Sequence, residues 1–253
     1  MSSDFEKMFG EVVGTGAQAT VYAKGDYAVK LYREDYPKRN VFGEAYIMAN
    51  LEPMNFPGPK IYEVLLVNGR YGLRMDRAKG KMMLQDVQDP ARCKDALNAL
   101  VDLQVQLQKS YDKVAAVLPD LKQRFQGDVE RNDRLSVDRK KELLEILAGL
   151  PEGHAFCHCD FHGGNVFFDG KRYTVIDLLQ SSRGDPAADA ACSYTAYSLL
   201  DRGLGEYYLD RFCAKSGIPA TSVRRWLKVY AGTLLGQIPE KYTPMVERFI
   251  EGD

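Results

Sequence analysis

Two carboxylates and one amide are the side chains of this sequence whose types and spacing suit metal-dependent chemistry. Residues 156–177 read FCHCDFHGGNVFFDGKRYTVID and contain Asp160, Asn165 and Asp177. In the second half of this stretch an Asp-Gly pair separates two β-like runs, a pattern that predicts a hairpin. Asn165 and Asp177 would leave that hairpin at the same end. We therefore expect these oxygen-bearing side chains to share one small volume, where they would suit Mg²⁺ shared with substrate phosphates.

An alternative interpretation assigns part of the same stretch to zinc, which favours nitrogen and sulfur ligands. The candidate ligands would be His154, Cys157, His158, Cys159 and His162, which include every histidine of the protein. Their spacing lacks a paired C-x-x-C, and alternate residues of an extended lead-in point to opposite sides. We therefore favour magnesium and keep zinc as the alternative.

The order of these residues forms a longer motif, H-x-D-x-H-x-x-N, followed by an apolar residue and a later Asp. The motif positions are occupied by His158, Asp160, His162 and Asn165, and the later Asp is Asp177. This string resembles the catalytic loop and metal-binding segment of the aminoglycoside phosphotransferases and choline kinases, and a G-D-P-x-x-D string at 184–189 extends the resemblance. The resemblance implies an α+β, protein-kinase-like fold of two lobes. The N-lobe would be a small antiparallel β-sheet with one helix, and the larger C-lobe would be mainly helical.

The resemblance also implies roles for the motif residues. Asp160 would align the acceptor hydroxyl and accept its proton, while Asn165 and Asp177 would hold Mg²⁺. The two motif histidines would support the catalytic loop. Asp189 would brace the same loop, although a carboxylate near a helix start is also a simple helix cap. The sequence departs from the family where glycine most often precedes the catalytic Asp, because Cys159 stands there; we interpret this as tolerated variation.

A small, flexible turn lies between apolar segments near the N-terminus. Gly14 and Gly16 would let backbone amides approach phosphate oxygens closely, because few side chains intervene. The third position of the usual G-x-G-x-x-G is Ala19, and many hairpins contain two glycines. The turn alone is therefore weak support for phosphate binding.

Lys30 follows this turn on a strand with apolar neighbours on both sides. A lysine whose stem is buried and whose ammonium reaches a cleft is suited to hold the α and β phosphates of a nucleotide. A helix is predicted from about residue 39 to 51, and Glu44 falls on its apolar face. A carboxylate there is costly without a partner, and Lys30 is the natural one. The alternatives are a surface lysine and a solvated Glu44.

A second hairpin is predicted around the Asn68-Gly69 turn. The polar stretch that follows it resembles the inter-lobe hinge of the family, where backbone groups recognise adenine. By that resemblance the Asp76 carbonyl and the Ala78 amide would face the base, and Met75 would line its pocket.

The pattern changes from strands to helices after Gly80, which predicts a nucleotide-binding lobe at 1–79 and a helical lobe with the catalytic loop and acceptor site at 80–253. A charged stretch at 128–134 is predicted to be a solvated connection. Apolar periodicity predicts helices over residues 89–111, 118–125 and 137–150, and further helices containing residues 192–200, 207–213 and 223–235.

The composition excludes several classes of function. The 34 basic and 35 acidic residues give a formal net charge of -1, which offers no electrostatic case for nucleic acid or an anionic membrane. The five cysteines have no regular spacing and do not predict a disulfide framework. Neither a signal-peptide core nor an apolar run long enough for a membrane span is present, so we expect a soluble cytoplasmic protein. The oligomeric state stays open.

Together these features predict an ATP-dependent kinase, with ATP and Mg²⁺ as cofactors, that phosphorylates a hydroxyl of a small molecule. An aminoglycoside is the first choice of acceptor because it is the namesake of the resembled family. Choline, ethanolamine, homoserine or a sugar stay open, because the acceptor pocket of this family is built from variable C-terminal helices. A non-catalytic nucleotide-binding protein of the same fold is the alternative from another class. Its signature would be the loss of Lys30, Asp160, Asn165 or Asp177, and all of these are present.

Overall fold

The computed structural model describes residues 4–111 and 117–252. The N-terminal part of the chain is rich in strands, as expected from its turns and alternating apolar residues. Its elements in chain order are α1 (Asp4–Phe9), β1 (Glu11–Thr15), β2 (Ala19–Lys24), β3 (Tyr27–Tyr32), α2 (Lys38–Leu51), β4 (Ile61–Val67), β5 (Arg70–Asp76) and β6 (Lys81–Met82).

Helices dominate the remainder, with short strands between them. These elements are α3 (Leu84–Val87), α4 (Cys93–Ser110), α5 (Leu121–Arg131), α6 (Val137–Ala148), β7 (Ala155–Cys157), β8 (Val166–Phe168), β9 (Tyr173–Val175), β10 (Ser182–Gly184), α7 (Pro186–Leu200), α8 (Arg202–Ser216), α9 (Ala220–Leu234) and α10 (Thr243–Glu251). Short 3-10 helices cover Glu52–Met54, Gly163–Asn165, Leu178–Gln180 and Glu240–Tyr242.

Within the described residues, β1 to β5 form one antiparallel sheet in the order β1-β2-β3-β5-β4. The predicted hairpin between β4 and β5 is confirmed, and its turn residues Asn68 and Gly69 have φ values of 50° and 78°. Positive φ at both central positions is what a tight hairpin turn requires, and Asn-Gly accepts it readily. The sheet and α2 enclose a core that includes Leu31, Leu73 and Ile47. The expected small sheet with one helix is confirmed, and α1 is added before it.

The described residues divide into two units. The first unit takes residues up to Met83 together with Gly164–Leu179, and the second takes Leu84–Gly163 and the chain from Gln180 onward. The hairpin of β8 and β9 belongs to the first unit because β8 pairs with β6, which directly follows the large sheet. The predicted lobes at 1–79 and 80–253 stay a prediction. The two units differ from these lobes because residues 80–83 and the β8–β9 hairpin belong to the first unit.

The second unit is built around α7, which is buried along most of its length. This helix packs on α8 and α9, and α9 also contacts α5, α6 and α10. Aromatic side chains fill this core. Those that are almost fully buried are Tyr194, Tyr197, Tyr208, Phe125, Phe212 and Trp226. The expectation of a mainly helical second part is confirmed.

Two helices in the second unit were predicted with wrong boundaries. The helix expected at 118–125 is α5, which begins at Leu121 and continues to Arg131, so it includes residues 128–131 of the stretch 128–134 that we expected to be a solvated connection. The connection is also anchored, because the side-chain amide of the buried Asn132 donates to Gly232 O at 2.9 Å and to Leu235 O at 3.0 Å. The helix expected to begin at 89 or 90 begins at Cys93, after a turn in which Asp89 O accepts from Arg92 N and Cys93 N.

No helix among the described residues has the length and the apolar character that crossing a bilayer demands.

Candidate functional site

Two carboxylates of the first unit, those of Glu44 and Asp177, contact the ammonium of Lys30. We call these three residues the lysine cluster. Lys30 Nζ lies 2.9 Å from Glu44 Oε1, 3.0 Å from Glu44 Oε2 and 2.9 Å from Asp177 Oδ1. The lysine comes from β3, the glutamate from α2, and the aspartate from the end of the β8–β9 hairpin. The predicted Lys30–Glu44 pair is therefore present, and the contact with Asp177 joins it to the predicted metal ligand.

Glu44 lies on the inner face of α2 with Val41, Ile47 and Met48, as the apolar spacing predicted. Its side chain is 2% exposed, so the alternative of a solvated glutamate is wrong. A buried carboxylate needs strong donors. Both of its oxygens accept from Lys30, and Oε2 also accepts from the hydroxyl of Tyr32.

The charge on Lys30 is secured by its neighbours. Burial by itself would lower the pKa of Lys30, but the carboxylates of Glu44 and Asp177 outweigh it and raise the pKa above its ordinary value. The Lys30 side chain is 13% exposed, so its stem is held in the sheet while its ammonium stays charged. The alternative of a surface lysine is therefore wrong.

The β8–β9 hairpin brings Asn165 and Asp177 to the same end, as predicted. Val166 pairs with Val175, and Ile176 N donates to Asn165 O at 2.9 Å. The turn differs from a two-residue Asp-Gly turn, because β8 and β9 are joined by residues 169–172. The Asp169 carboxylate shapes this longer turn by accepting from the Lys171 and Arg172 amides, both at 2.8 Å.

By residue type, the two side chains at the end of this hairpin are oxygen donors that would suit a hard divalent cation. Asp177 has a carboxylate whose side chain is 43% exposed, and Asn165, which is 7% exposed, has an amide oxygen. Such oxygen donors are what Mg²⁺ takes when substrate phosphates complete its shell. Asp177 has a φ of 62°, a left-handed conformation that costs a non-glycine residue about 1 kcal/mol. In the part of the chain that the structure describes, no group of three or more His, Cys, Asp or Glu side chains could hold a metal ion, so the zinc cluster lacks support.

A cavity of about 590 Å³ opens beside the lysine cluster, and its lining belongs to the first unit. This volume lies in the range of small-molecule and cofactor sites. Asn165 lies outside the lining. The lining includes these predicted site residues: Gly14, Gly16, Lys30, Glu44, Met75, Asp76, Ala78 and Asp177.

The end of β5 and the residues after it line this cavity and form hydrogen bonds with residues next to the neighbouring strands. Asp76 N donates to Lys60 O at 3.0 Å, and Arg77 N donates to Asp26 O at 2.8 Å. The Asp76 carboxylate accepts from the Tyr62 hydroxyl at 2.7 Å and from Lys60 N at 3.2 Å. The side chain of Asp76 is therefore engaged within the sheet rather than directed at a ligand.

The remaining predicted site residues belong to the second unit. Asp160 Oδ1 lies 3.4 Å from His162 Nε2, and Asp160 N donates to His158 Nδ1 at 3.3 Å. His158 is buried, and its ring meets Phe161 edge-on. Both histidines of the motif thus contact Asp160 itself.

The loop that carries Asp160 is held by Asp189, which is 1% exposed. Asp189 Oδ1 accepts from Cys159 N at 2.7 Å. Cys159 has a φ of 62°, a conformation that glycine adopts without cost and that explains why this position suits glycine. The alternative role of Asp189 as a helix cap is filled by Asp185, whose carboxylate accepts from Ala187 N at 2.9 Å.

Two glutamines that the sequence analysis missed complete the support of Asp189. Gln104 and Gln108 of α4 are buried, and each donates its side-chain amide to Asp189 Oδ2 at 2.8 Å. We call Asp189, Gln104, Gln108 and the Cys159 amide the aspartate cluster. A signal was available, because the glutamines stand four residues apart on the apolar face of a leucine-rich helix. Tyr32 was missed as well, and its aromatic character in a strand gave no sign of a polar role.

The model of the family described as "Phosphotransferase enzyme family" matches residues 11–227. No curated protein matches the sequence.

Solved structures match nearly the whole chain at low identity. The amicoumacin kinase hAmiN is 13% identical, with a TM-score of 0.68, over 94% of this chain and 85% of that one. A thermostable mutant of aminoglycoside phosphotransferase APH(4)-Ia is 15% identical, with a TM-score of 0.66, over 98% of this chain and 96% of that one. A choline/ethanolamine kinase family protein from Mesorhizobium loti is 15% identical, with a TM-score of 0.58, over 95% of this chain and 87% of that one. These likenesses show that the chain has the protein-kinase-like fold that its motifs predicted.

Proposed function

The chain belongs to the phosphotransferase enzyme family, and from that premise we propose that it transfers the γ-phosphoryl group of ATP to a hydroxyl of a small molecule. The observation that carries this proposal is the lysine cluster, which keeps a charged ammonium at a cavity of about 590 Å³. Phosphoryl transfer depends mainly on positioning and electrostatic stabilisation of the phosphates, which a fixed cation supplies. Neighbours solved with AMP-PNP or ADP support ATP as the donor.

In the proposed reaction the first unit binds the nucleotide. The Gly16 amide closes the turn by donating to Ala19 O at 2.9 Å. Other backbone amides of the turn would approach the phosphates, and Lys30 would neutralise their charge as the γ-phosphoryl group leaves. The wall formed by Met75, Asp76 and Ala78 receives the base.

Asn165 and Asp177 are the residues that would hold Mg²⁺. When bound, Mg²⁺ supplies positive charge to the phosphate oxygens. The Lys30 ammonium, 2.9 Å from Asp177 Oδ1, holds this carboxylate in position through a charge-assisted hydrogen bond.

Asp160 is the proposed base of the reaction. It would accept the proton of the acceptor hydroxyl while the oxygen of that hydroxyl forms a bond to the γ-phosphorus and the bond to ADP breaks. The contacts of Asp160 with His158 and His162, and the hold of Asp189 on the preceding residue, support a fixed carboxylate at this position.

We propose an aminoglycoside as the first acceptor to test. A structure of the related APH(4)-Ia holds AMP-PNP and hygromycin B, and one of APH(3'')-Id from Streptomyces rimosus holds ADP and streptomycin. Amicoumacin kinase and the choline/ethanolamine kinase family protein have the same fold, so amicoumacin, choline and ethanolamine enter the same test, with homoserine and sugars.

The experiment measures ATP consumption with Mg²⁺ against this panel, and mass spectrometry identifies the phosphorylated acceptor. The variant Asp160→Asn is the matched control, because it keeps the size of the side chain and removes the base. We expect one class of acceptor to be phosphorylated by the wild type and the variant to be slower by about a thousandfold or more.

Two outcomes would overturn the proposal. One is that no acceptor of the panel raises ATP consumption by the wild type above that of the Asp160→Asn variant. The other is equal phosphorylation by wild type and variant. Tight binding of AMP-PNP and Mg²⁺ combined with the first outcome would favour the non-catalytic nucleotide-binding alternative.

A further inference from the structure

Tyr32, the last residue of β3, contacts both members of the buried ion pair. Its hydroxyl donates to Glu44 Oε2, and Lys30 Nζ lies 5.3 Å from the centroid of its ring. The side chain is 0% exposed. Tyr32 therefore meets the carboxylate through its polar end and the ammonium through its aromatic face, an arrangement that favours a cation.

The Tyr32 hydroxyl completes the hydrogen bonding of Glu44. Lys30 shares its ammonium between Glu44 and Asp177, so the Tyr32 hydroxyl is the donor that serves Glu44 without also contacting Asp177. The Tyr32 ring is fully buried, so packing holds its hydroxyl against Glu44 Oε2. Burial and the Glu44 carboxylate both raise the pKa of Tyr32, so the hydroxyl keeps its proton and stays a donor.

A second tyrosine extends this contact to the glycine-rich turn. The ring of Tyr36 stacks on the ring of Tyr32, with centroids 4.6 Å apart and an interplanar angle of 11°. The Tyr36 hydroxyl donates to Gln18 Oε1 at 3.0 Å, and Gln18 O accepts from Arg33 N at 2.9 Å. Gln18 lines the cavity between Gly16 and Ala19. The stacked pair thus connects the turn to the lysine cluster within the first unit.

We propose that Tyr32 is a positioning residue for the nucleotide phosphates, acting through Glu44 on Lys30, and that Tyr36 ties the glycine-rich turn to the same support. This inference rests on the proposed function, because it assigns Tyr32 to the reaction that Lys30 assists. Tyr32 touches neither the nucleotide nor the acceptor in this scheme. Its effect passes through the carboxylate that orients the ammonium.

The test is a double-mutant cycle of Tyr32→Phe and Glu44→Gln. Tyr32→Phe keeps the ring and its stacking on Tyr36 and removes only the hydroxyl. We expect it to lower kcat by about tenfold in the wild-type background, with a smaller change in the KM for MgATP. In the Glu44→Gln background the same change should alter kcat by less than about twofold, because the group through which it acts has been changed. A merely structural hydroxyl would lower kcat by the same factor in both backgrounds, which would overturn the proposal.

Tyr46→Phe is the matched control for this cycle. Tyr46 lies on α2, two residues after Glu44, and is 54% exposed. We expect kcat and the KM for MgATP to stay within about twofold of wild type. A thermal unfolding midpoint above the assay temperature for each variant shows that a lower kcat is not caused by unfolding.

Calorimetric titration of the same proteins with AMP-PNP and Mg²⁺ separates this inference from the proposed function. We expect Tyr32→Phe to weaken AMP-PNP binding about threefold in the wild-type background and to leave it unchanged in the Glu44→Gln background. If no acceptor is phosphorylated but this coupling is found, the proposed function fails and the positioning role stands. Equal AMP-PNP affinity of wild type and Tyr32→Phe, together with equal turnover where turnover exists, would overturn the positioning role.

Discussion

Two buried carboxylates, one in each unit, are stabilised by different kinds of donor. Glu44, in the first unit, accepts from the Lys30 ammonium and the Tyr32 hydroxyl. Asp189, in the second unit, accepts from the side-chain amides of two α4 glutamines and from the Cys159 backbone amide. The two side chains are equally hidden, at 2% and 1% exposed. The difference lies in the charge of the donors.

This difference distinguishes the proposed phosphate-binding site from the support of the loop that carries Asp160. A charged donor can be shared with another anion, and Lys30 already contacts the partly exposed Asp177 beside a cavity. Neutral amides attract an incoming anion far less, but each leaves a costly unsatisfied group if its acceptor is lost. The aspartate cluster thus suits the task of holding the strained backbone at Cys159, and the lysine cluster suits phosphate binding.

The strongest test of this comparison removes the charged donor. Lys30→Met should lower kcat/KM for ATP by about a thousandfold, because transition-state charge on the phosphates loses its fixed cation. Lys79→Met is the control, since Lys79 is 64% exposed and pairs with Asp26 on the surface of the same unit. It should stay within about twofold of wild type. Steady-state kinetics decide the point, and a Lys30→Met enzyme within tenfold of wild type would contradict it.

Removal of the acceptor in the second unit should act mainly on stability. Asp189→Ala leaves three donors without their acceptor, so we expect the free energy of unfolding to fall by about 3 kcal/mol. Asp210→Ala, an exposed aspartate on α8, should change it by less than about 0.5 kcal/mol. Urea unfolding followed by circular dichroism measures both values. Similar losses in the two variants would mean that the aspartate cluster carries no special stability.

Loss of one neutral donor should have a smaller effect. Gln108→Leu keeps the volume of the side chain and removes one hydrogen bond to Asp189, so the free energy of unfolding should fall by about 1 kcal/mol. Gln126→Leu is its control, because Gln126 is exposed on α5 and pairs with Glu130 there. The same urea experiment applies, and a stabilised Gln108→Leu protein would contradict the prediction.

The smallest expected effect is a change with pH in the difference in free energy of unfolding between wild type and Lys30→Met. The pKa of folded Lys30 is raised above its unfolded value of about 10.4, so its contribution is complete below that pH and is lost as the pH rises through the folded-state pKa. The difference in free energy of unfolding between wild type and Lys30→Met should stay constant from about pH 6 to about pH 9 and shrink above about pH 10. A difference that grows on the alkaline side would show that Lys30 is not stabilised in its charged form.

Much of the first unit could be predicted because its signals are local. The Asn68-Gly69 pair predicted its hairpin, and the apolar spacing of α2 placed Glu44 on the inner face. In the second unit the charged residues between Asp128 and Arg131 suggested a connection, yet α5 continues through them. Packing of the buried Phe125 and Val129 outweighs the polar character of that last turn.

The site was predictable in its residue types and less so in its partners. Lys30 and Glu44 were paired correctly because a buried carboxylate needs strong donors and Lys30 lies on β3, the strand directly before α2. The glutamine donors of Asp189 were not predicted, although two glutamines on an apolar helix face indicate a buried polar contact. The Tyr32 hydroxyl could not be foreseen, because a tyrosine in a strand has the same pattern whether its hydroxyl meets water or a carboxylate.

By itself the sequence determined which side chains carry charge and which face of a strand or helix each occupies, because these properties follow from residue type and from periods of two or 3.6. The tertiary structure alone decided that Lys30 meets Asp177, which follows it by 147 residues, and that Gln104 meets Asp189, 85 residues further on. A local period contains no information about partners at such separations. These partners are brought together by the packing of whole elements, which buries Glu44 and Asp189 and leaves Asp177 partly exposed. A buried carboxylate is costly without donors, so the loss of a donor then lowers stability.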